Sequence, residues 1–188
     1  MQAWDPGQYL RFEDHRLRPA VELVHRIPPI EVWEGWDLGC GTGNVTRILA
    51  GRFPEAHLTG LDSSEAMIDE ASSVEGIDWV AGDVADWDPG HAIDLIFSNA
   101  ALHWLDDHDS LLPRLMGFLR PGGVLAVQMP RNFGEPSHQL LYETARDPRW
   151  ADRTAHLAGW DPVDEPSAYS DRLSGVSSSI DLWETRYH

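Results

Sequence analysis

Lysine is missing from this sequence. All 14 basic residues are arginines, set against 31 acidic ones for a formal net charge of -17 over 188 residues. A field of that sign opposes non-specific binding to nucleic acid and to anionic lipid, so neither is expected as a partner. It also repels small polyanions, so a site for one needs arginines of its own. Cysteine occurs once, at Cys40, which excludes an internal disulfide and any requirement for an oxidising compartment. No stretch approaches the roughly 20 apolar residues of a membrane span. Met1-Gln2-Ala3-Trp4-Asp5-Pro6 lacks the basic and apolar blocks of a signal peptide, and the expected location is cytoplasmic. Internal repeats and low-complexity segments are absent too. With 42% hydrophobic content the chain can bury one sizeable core and is short for two, so a single domain is expected over 1–188.

What is present, from Ile30 onward, is an alternation of short apolar runs with helical patterns, as in βαβ units on a parallel sheet. Strands are expected at about 32–38, 57–62, 77–81, 93–98 and 123–129, and helices at about 43–52, 64–74 and 107–119. Val45, Ile48 and Leu49 give the first of these helices an apolar face, as Met67, Ile68 and Ala71 do for the second. Gln8 to Ile27 reads as one or two helices, with Pro19 at the first turn of the second, and Glu135 to Ala145 as another. Arg146 to Pro166 has no period and reads as a surface loop, whereas the tail from Ser179 to His188 alternates like a strand.

Between the first strand and the first helix lies Asp37-Leu38-Gly39-Cys40-Gly41-Thr42-Gly43. Glycines there permit positive φ and let the backbone approach a ligand. A dinucleotide site favours G-x-G-x-x-G; here the third glycine comes one residue sooner and an acid precedes the first. An aspartate at that point attracts the cationic amino-acid end of S-adenosylmethionine (SAM) and disfavours phosphate. The bland alternative is a tight βα connection without ligand. Asp62 closes the second strand and Asp83 follows the third, both at strand ends that line the ligand crevice of a doubly wound sheet. Asp62 is assigned to the ribose and Asp83 to the adenine amino group, although either could serve as a helix cap or turn residue.

After the fourth strand, Ser98-Asn99-Ala100-Ala101-Leu102-His103-Trp104 sets a polar pair and then an aromatic pair over the same crevice. Asn99 reads as a cofactor contact or a turn residue, and His103 and Trp104 as a substrate wall or local packing. His103, Asp106, Asp107, His108 and Asp109 match no zinc or calcium spacing, so no metal is expected; an acidic helix start explains them better. Cys40, flanked by glycines, reads as packing.

With these residues placed, the chain resembles the class I SAM-dependent methyltransferases and, more closely, the trans-aconitate 2-methyltransferase family. The likeness runs through Trp4-Asp5-Pro6, Tyr9-Leu10, Arg18-Pro19-Ala20-Val21-Glu22-Leu23 and the loop at 37–43. It continues through Gly60-Leu61-Asp62-Ser63-Ser64, Met67, Asp94 to Ala100, and Pro121 to Pro130 with its Val127-Gln128-Met129-Pro130. The resemblance implies a Rossmann-like, mostly parallel sheet of order 3-2-1-4-5. It implies an N-terminal helical lid (1–29), a cofactor-binding core (30–130) and a partial C-terminal part (131–188). Cofactor contacts follow at Asp37, Gly39, Gly41, Gly43, Asp62, Ser63, Met67, Asp83, Val84 and Asn99.

The implied reaction is methyl transfer from SAM to a carboxylate of trans-aconitate, giving a monomethyl ester. No side chain is assigned as catalytic, because a carboxylate is already ionised and needs only alignment and exclusion of water. Three carboxylates call for cationic clamps, and Arg11, Arg16, Arg18 and Arg131 are the candidates, with Tyr9, His103 and Trp104 completing the substrate pocket. Methylation of another acid, such as a malonyl thioester, or SAM binding without turnover are the alternatives. Two departures stand out. Val32-Trp33-Glu34-Gly35-Trp36 is awkward for a buried central strand. At most a sixth strand is expected in the tail and no counterpart of the superfamily's usual seventh, so an open sheet edge is expected, which a homodimer would cover.

Overall fold

The computed structural model describes residues 13–154 and 162–187. Helix α1 (Glu13–Arg26) precedes β1 (Glu34–Leu38), α2 (Asn44–Arg52), β2 (His57–Asp62), α3 (Glu65–Ala71) and β3 (Asp78–Ala81). Next come β4 (Ile93–Asn99), a 3-10 turn (Leu102–Trp104), α4 (His108–Gly117), β5 (Leu119–Gln128), α5 (Pro136–Ala145), α6 (Ala151–Thr154) and α7 (Pro166–Ser174). The five strands form one sheet of order β3-β2-β1-β4-β5, every pair parallel. This is the expected Rossmann-like order.

Both faces of the sheet are covered. On one, Leu23 and Val24 of α1, Ile27 just after it and Leu49 of α2 pack on Leu58, Leu95 and Phe97. On the other, Leu111, Leu112 and Leu115 of α4 pack with Leu38, Leu61, Ile93 and Ile96. Burying each such side chain stabilises the fold by roughly 1.5–3 kcal/mol. Burial on both sides explains why β4 reads as a nearly unbroken apolar run.

The odd composition of β1 has a local explanation. Trp33 lies outside the strand and is exposed. Glu34, at the strand's entry end, meets His91 at 2.6 Å. A Cβ on Gly35 would sit 2.9 Å from Leu58 Cδ2 and 3.3 Å from Leu95 Cβ, so the glycine marks close packing against both neighbouring strands. Trp36 packs its ring on Trp87 at 5.3 Å. The buried Asp94 fastens this end: its Oδ2 accepts from Trp33 and Glu34 backbone N–H groups at 2.8 and 3.0 Å, and its Oδ1 pairs with Arg120 at 2.9 Å.

Several expectations are corrected. Pro19 lies inside α1 and not at the first turn of a helix. The stretch expected to be a loop contains α6. The tail forms no strand among the described residues. Instead it straps α1 through its side chains: Arg26 pairs with Asp181 and stacks on Trp183 at 4.1 Å, and the Tyr187 hydroxyl donates to Glu22 at 2.9 Å. Alternation alone cannot separate a strand from an extended strap whose every second side chain finds a partner on a helix.

Candidate active site

In a parallel sheet all strands end on the same side, and the order places the topological switch point between β1 and β4. The glycine loop leaves β1 at that point. Gly39, Gly41 and Gly43 all have positive φ (78°, 56° and 78°). The loop is stapled to β2: Gly39 and Cys40 N–H donate to the Leu61 carbonyl at 2.7 and 2.9 Å. Space distinguishes the three glycines. A Cβ on Gly39 would lie 2.2 Å from Ala101 Cβ, and one on Gly43 would lie 2.3 Å from the Trp79 ring. At Gly41 nothing lies within 4 Å. Two of the glycines are required by the protein's own packing, and the middle one opens onto the crevice.

Asp62 links two loops. Its Oδ2 accepts from Gly41 N–H at 2.8 Å and its Oδ1 from Ser64 N–H at 2.9 Å, leaving a further lone pair on each oxygen. Ser63 follows Asp62 in the second of these loops, and Met67 is buried on α3. Asp37 is buried and accepts from Thr46 Oγ1 at 2.7 Å. Burial, and then the charge of Asp62, raise its carboxyl from 3.8 to about 7 against the bond from Thr46. Burial and the same two acids push the Cys40 thiol up, which disfavours its thiolate form. Thr46 was not singled out in the sequence; a hydroxyl on the helix turn after the last glycine was the available signal.

Asp83 begins a turn in which its Oδ1 accepts from Ala85 N–H at 2.8 Å, and its neighbour Val84 is buried in the core. At the end of β4, the Ser98 hydroxyl donates to the Leu38 carbonyl at 2.7 Å, locking β4 to β1 just before the loop. Asn99 Oδ1, Thr42 Oγ1 and Asn44 Nδ2 are buried without a hydrogen-bond partner among the described residues. Native proteins rarely leave such atoms unpaired, so three of them around an open glycine loop mark a polar ligand's place. The two acids, the open glycine and these orphaned atoms fit the sulfonium amino acid and nucleoside of SAM.

His103 is buried, its ring 4.8 Å from the exposed Trp104 and 6.5 Å from Phe133. Burial and the neighbouring His108 lower its pKa to about 4, which keeps it neutral at physiological pH. His108 is buried and holds the turn from below. Its Nε2 faces the Leu102 carbonyl at 2.9 Å and so carries the proton, leaving Nδ1 to accept from the Tyr169 hydroxyl at 2.9 Å. Asp107 caps α4, and Asp109 pairs with Arg172 of α7. Asp107, His108 and Asp109 therefore have structural partners.

The candidate carboxylate clamps are scattered. Tyr9 and Arg11 lie outside the described residues, as does the side chain of Arg16. Arg18 pairs with Glu22 on the surface of α1 at 3.1 Å and lies over the Tyr187 ring. Arg131, in the loop after β5, donates to Glu184 at 2.8 Å and to Glu165. Neither arginine is held toward the glycine loop by a described contact.

This fold and this crevice define a SAM-dependent methyltransferase. The methyltransferase-domain family matches residues 36–123. Trans-aconitate 2-methyltransferases match the whole chain: that of Methylobacterium radiotolerans is 46% identical, with 74% of its length covered. Those of Acidovorax ebreus and Escherichia coli K12 are 48% and 47% identical, each with 73% covered. The chain belongs to the trans-aconitate 2-methyltransferase family. Among solved structures, a chain in the complex of the Haloferax volcanii Trm112 methyltransferase activator with a methyltransferase superposes with a TM-score of 0.66 at 22% identity, over 91% of this chain and 72% of that one. The plantazolicin methyltransferase BpumL, solved with SAH, gives 0.61 at 18% identity, over 90% and 67%. No helix among the described residues is long and apolar enough to cross a membrane.

Proposed function

We propose that this enzyme methylates a carboxylate of trans-aconitate, forming its monomethyl ester. The identity of 46–48% to trans-aconitate 2-methyltransferases over the whole chain carries this reading. When bound, SAM supplies a methyl group on a sulfonium, which a carboxylate oxygen accepts in one displacement as the carbon–sulfur bond breaks. No proton has to be removed. The chemistry of the residues agrees: His103 is held neutral by burial and acts as a wall and hydrogen-bonding group, with no base required.

Asp62 accepts the ribose hydroxyls with the lone pairs its two backbone bonds leave, and Asp83 accepts the adenine amino group beside Val84. Gly39, Gly41 and Gly43 bring the loop backbone against the cofactor, with Asp37 supplying negative charge for its amino-acid end, and Ser63, Met67 and Asn99 complete the cradle. On the acid's side, His103 and Trp104 are the proposed wall, and Tyr9, Arg11, Arg16, Arg18 and Arg131 are the candidate clamps. Incubation of the purified protein with SAM and trans-aconitate should yield the monomethyl ester, read by mass spectrometry. SAM binding by calorimetry with no ester from trans-aconitate, and ester from a malonyl thioester or another acid, would overturn the substrate assignment.

A further inference from the structure

The turn from Asp83 to Trp87 is weakly held by its own backbone. Asp86 N–H reaches the Asp83 carbonyl at 3.2 Å and Trp87 N–H the Val84 carbonyl at 3.3 Å, both at the long end for such bonds. A side chain from another element supplies the shorter contacts. Arg114, on α4, donates Nη1 to the Trp87 carbonyl and Nη2 to the Val84 carbonyl, each at 2.8 Å. This is a two-pronged grip on two carbonyls of one turn, and a fixed guanidinium fork suits it where an ammonium does not. In a chain with 31 acids and 14 arginines, none of the ion pairs among the described residues involves Arg114. Its charge is half-buried and spent on backbone oxygens, an arrangement that costs desolvation and returns position.

The geometry points to Arg114 as the positioning residue for adenine recognition: from α4 it fixes the Asp83–Val84 turn, so that the carboxylate sits where the base's amino group arrives. This rests on the assignment of Asp83 to adenine made above. Asp83 spends Oδ1 on Ala85 N–H, which orients the carboxylate within the turn, and Arg114 orients the turn within the fold. Without the arginine, Val84 and Trp87 remain anchored by their buried side chains while their carbonyls lose a partner, so the backbone can pivot without unfolding.

The test compares two ligands, S-adenosylhomocysteine and its analogue with hypoxanthine in place of adenine, which replaces the amino group by a carbonyl oxygen. Their dissociation constants are measured for the wild type, Arg114→Lys, Arg114→Met and Asp83→Asn, with thermal melting alongside. The wild type is expected to prefer the adenine ligand about tenfold, the worth of one good hydrogen bond to a charged group. Arg114→Met is expected to lose most of that preference, and Arg114→Lys, which restores one donor, to fall between. If both Arg114 variants keep the wild-type preference while Asp83→Asn loses it, Arg114 only stabilises the fold and the inference is overturned, with the adenine reading left standing. If Asp83→Asn also keeps the preference, the adenine reading itself fails.

Discussion

The two ends of this molecule are held together by different physics. Around the glycine loop, position is set by backbone conformation and contact distances inside the fold: positive φ at three glycines, Ala101 pressed on Gly39, and Asp62 bridging Gly41 and Ser64. Beyond β5, Phe133, Val163 and Tyr169 reach the core, and ion pairs hold much of the rest, with Arg131 on Glu165 and Glu184, Arg172 on Asp109 and Asp164, Arg26 on Asp181, and Arg186 on Glu135. Steric constraints are specific to one atom and indifferent to salt. Exposed ion pairs are screened and individually weak. The cofactor end is therefore built to be rigid, and the far end to be adjustable.

The largest expected effect is at Gly39. Gly39→Ala combines a positive φ with a Cβ 2.2 Å from Ala101 and should destabilise the ligand-free protein by about 2–5 kcal/mol. Gly41→Ala has open space and should cost only about 1 kcal/mol while lowering SAM affinity more steeply. Denaturant unfolding and calorimetry separate the two. Equal stability losses would dissolve the distinction between a packing glycine and a ligand-facing one.

Next in size is Asp37. Its folded pKa of about 7 lies above the usual 3.8, so its contribution to stability is full below 3.8 and is lost as pH rises through about 7. Asp37→Asn keeps an acceptor for Thr46 and removes the charge. It should stabilise the ligand-free protein by on the order of 3 kcal/mol at pH 8 and scarcely at pH 4. On the proposed placement of the SAM ammonium near Asp37, SAM affinity in the wild type should rise with pH through neutrality, because an ammonium favours the ionised acid. His103 works in the other direction, its pKa lowered from 6.5 to about 4: its contribution is present above 6.5 and lost as pH falls toward 4. A melting-temperature profile of Asp37→Asn parallel to that of the wild type would count against the buried-acid account.

Tyr169→Phe removes the hydroxyl that joins α7 to His108 and should cost about 1–2 kcal/mol. On the proposed placement of His103 and Trp104 in the substrate wall, it should raise KM for the acid more than it changes SAM affinity. Equal loss in both would place the turn in the cofactor site. The smallest effect belongs to Glu184→Gln, which leaves Arg131 paired with Glu165 and should move the melting temperature by about one degree or less. A larger shift would show the far end to be as rigid as the loop.

The same contrast explains what could be read from the chain. Glycine spacing and strand-end acids are local patterns tied to backbone geometry, so Gly39 to Gly43, Asp62 and the sheet order were legible. Asp37 was legible as an acid but not as a buried one, since Thr46 reaches it from the next helix. Arg131 was legible as a cation, but its partners lie 34 and 53 residues away, one in a stretch with no period and one in a tail whose alternation suggested a strand. Arg114 was silent for the same reason: nothing local marks an arginine whose acceptors are carbonyls of a distant turn.

Trp79 carries a consequence for how this sequence can change. Its ring fills the space that a Cβ would need at both Gly43 and Gly60, at 2.3 and 2.5 Å. Three positions on three segments are thus bound into one inheritance. A lineage that keeps the tryptophan must keep both glycines, and one that first shrinks it still leaves a Cβ at Gly60 facing Cys40 Sγ at 2.9 Å and Gly43 held by its φ of 78°. Substitution here has an order, and the aromatic must go first.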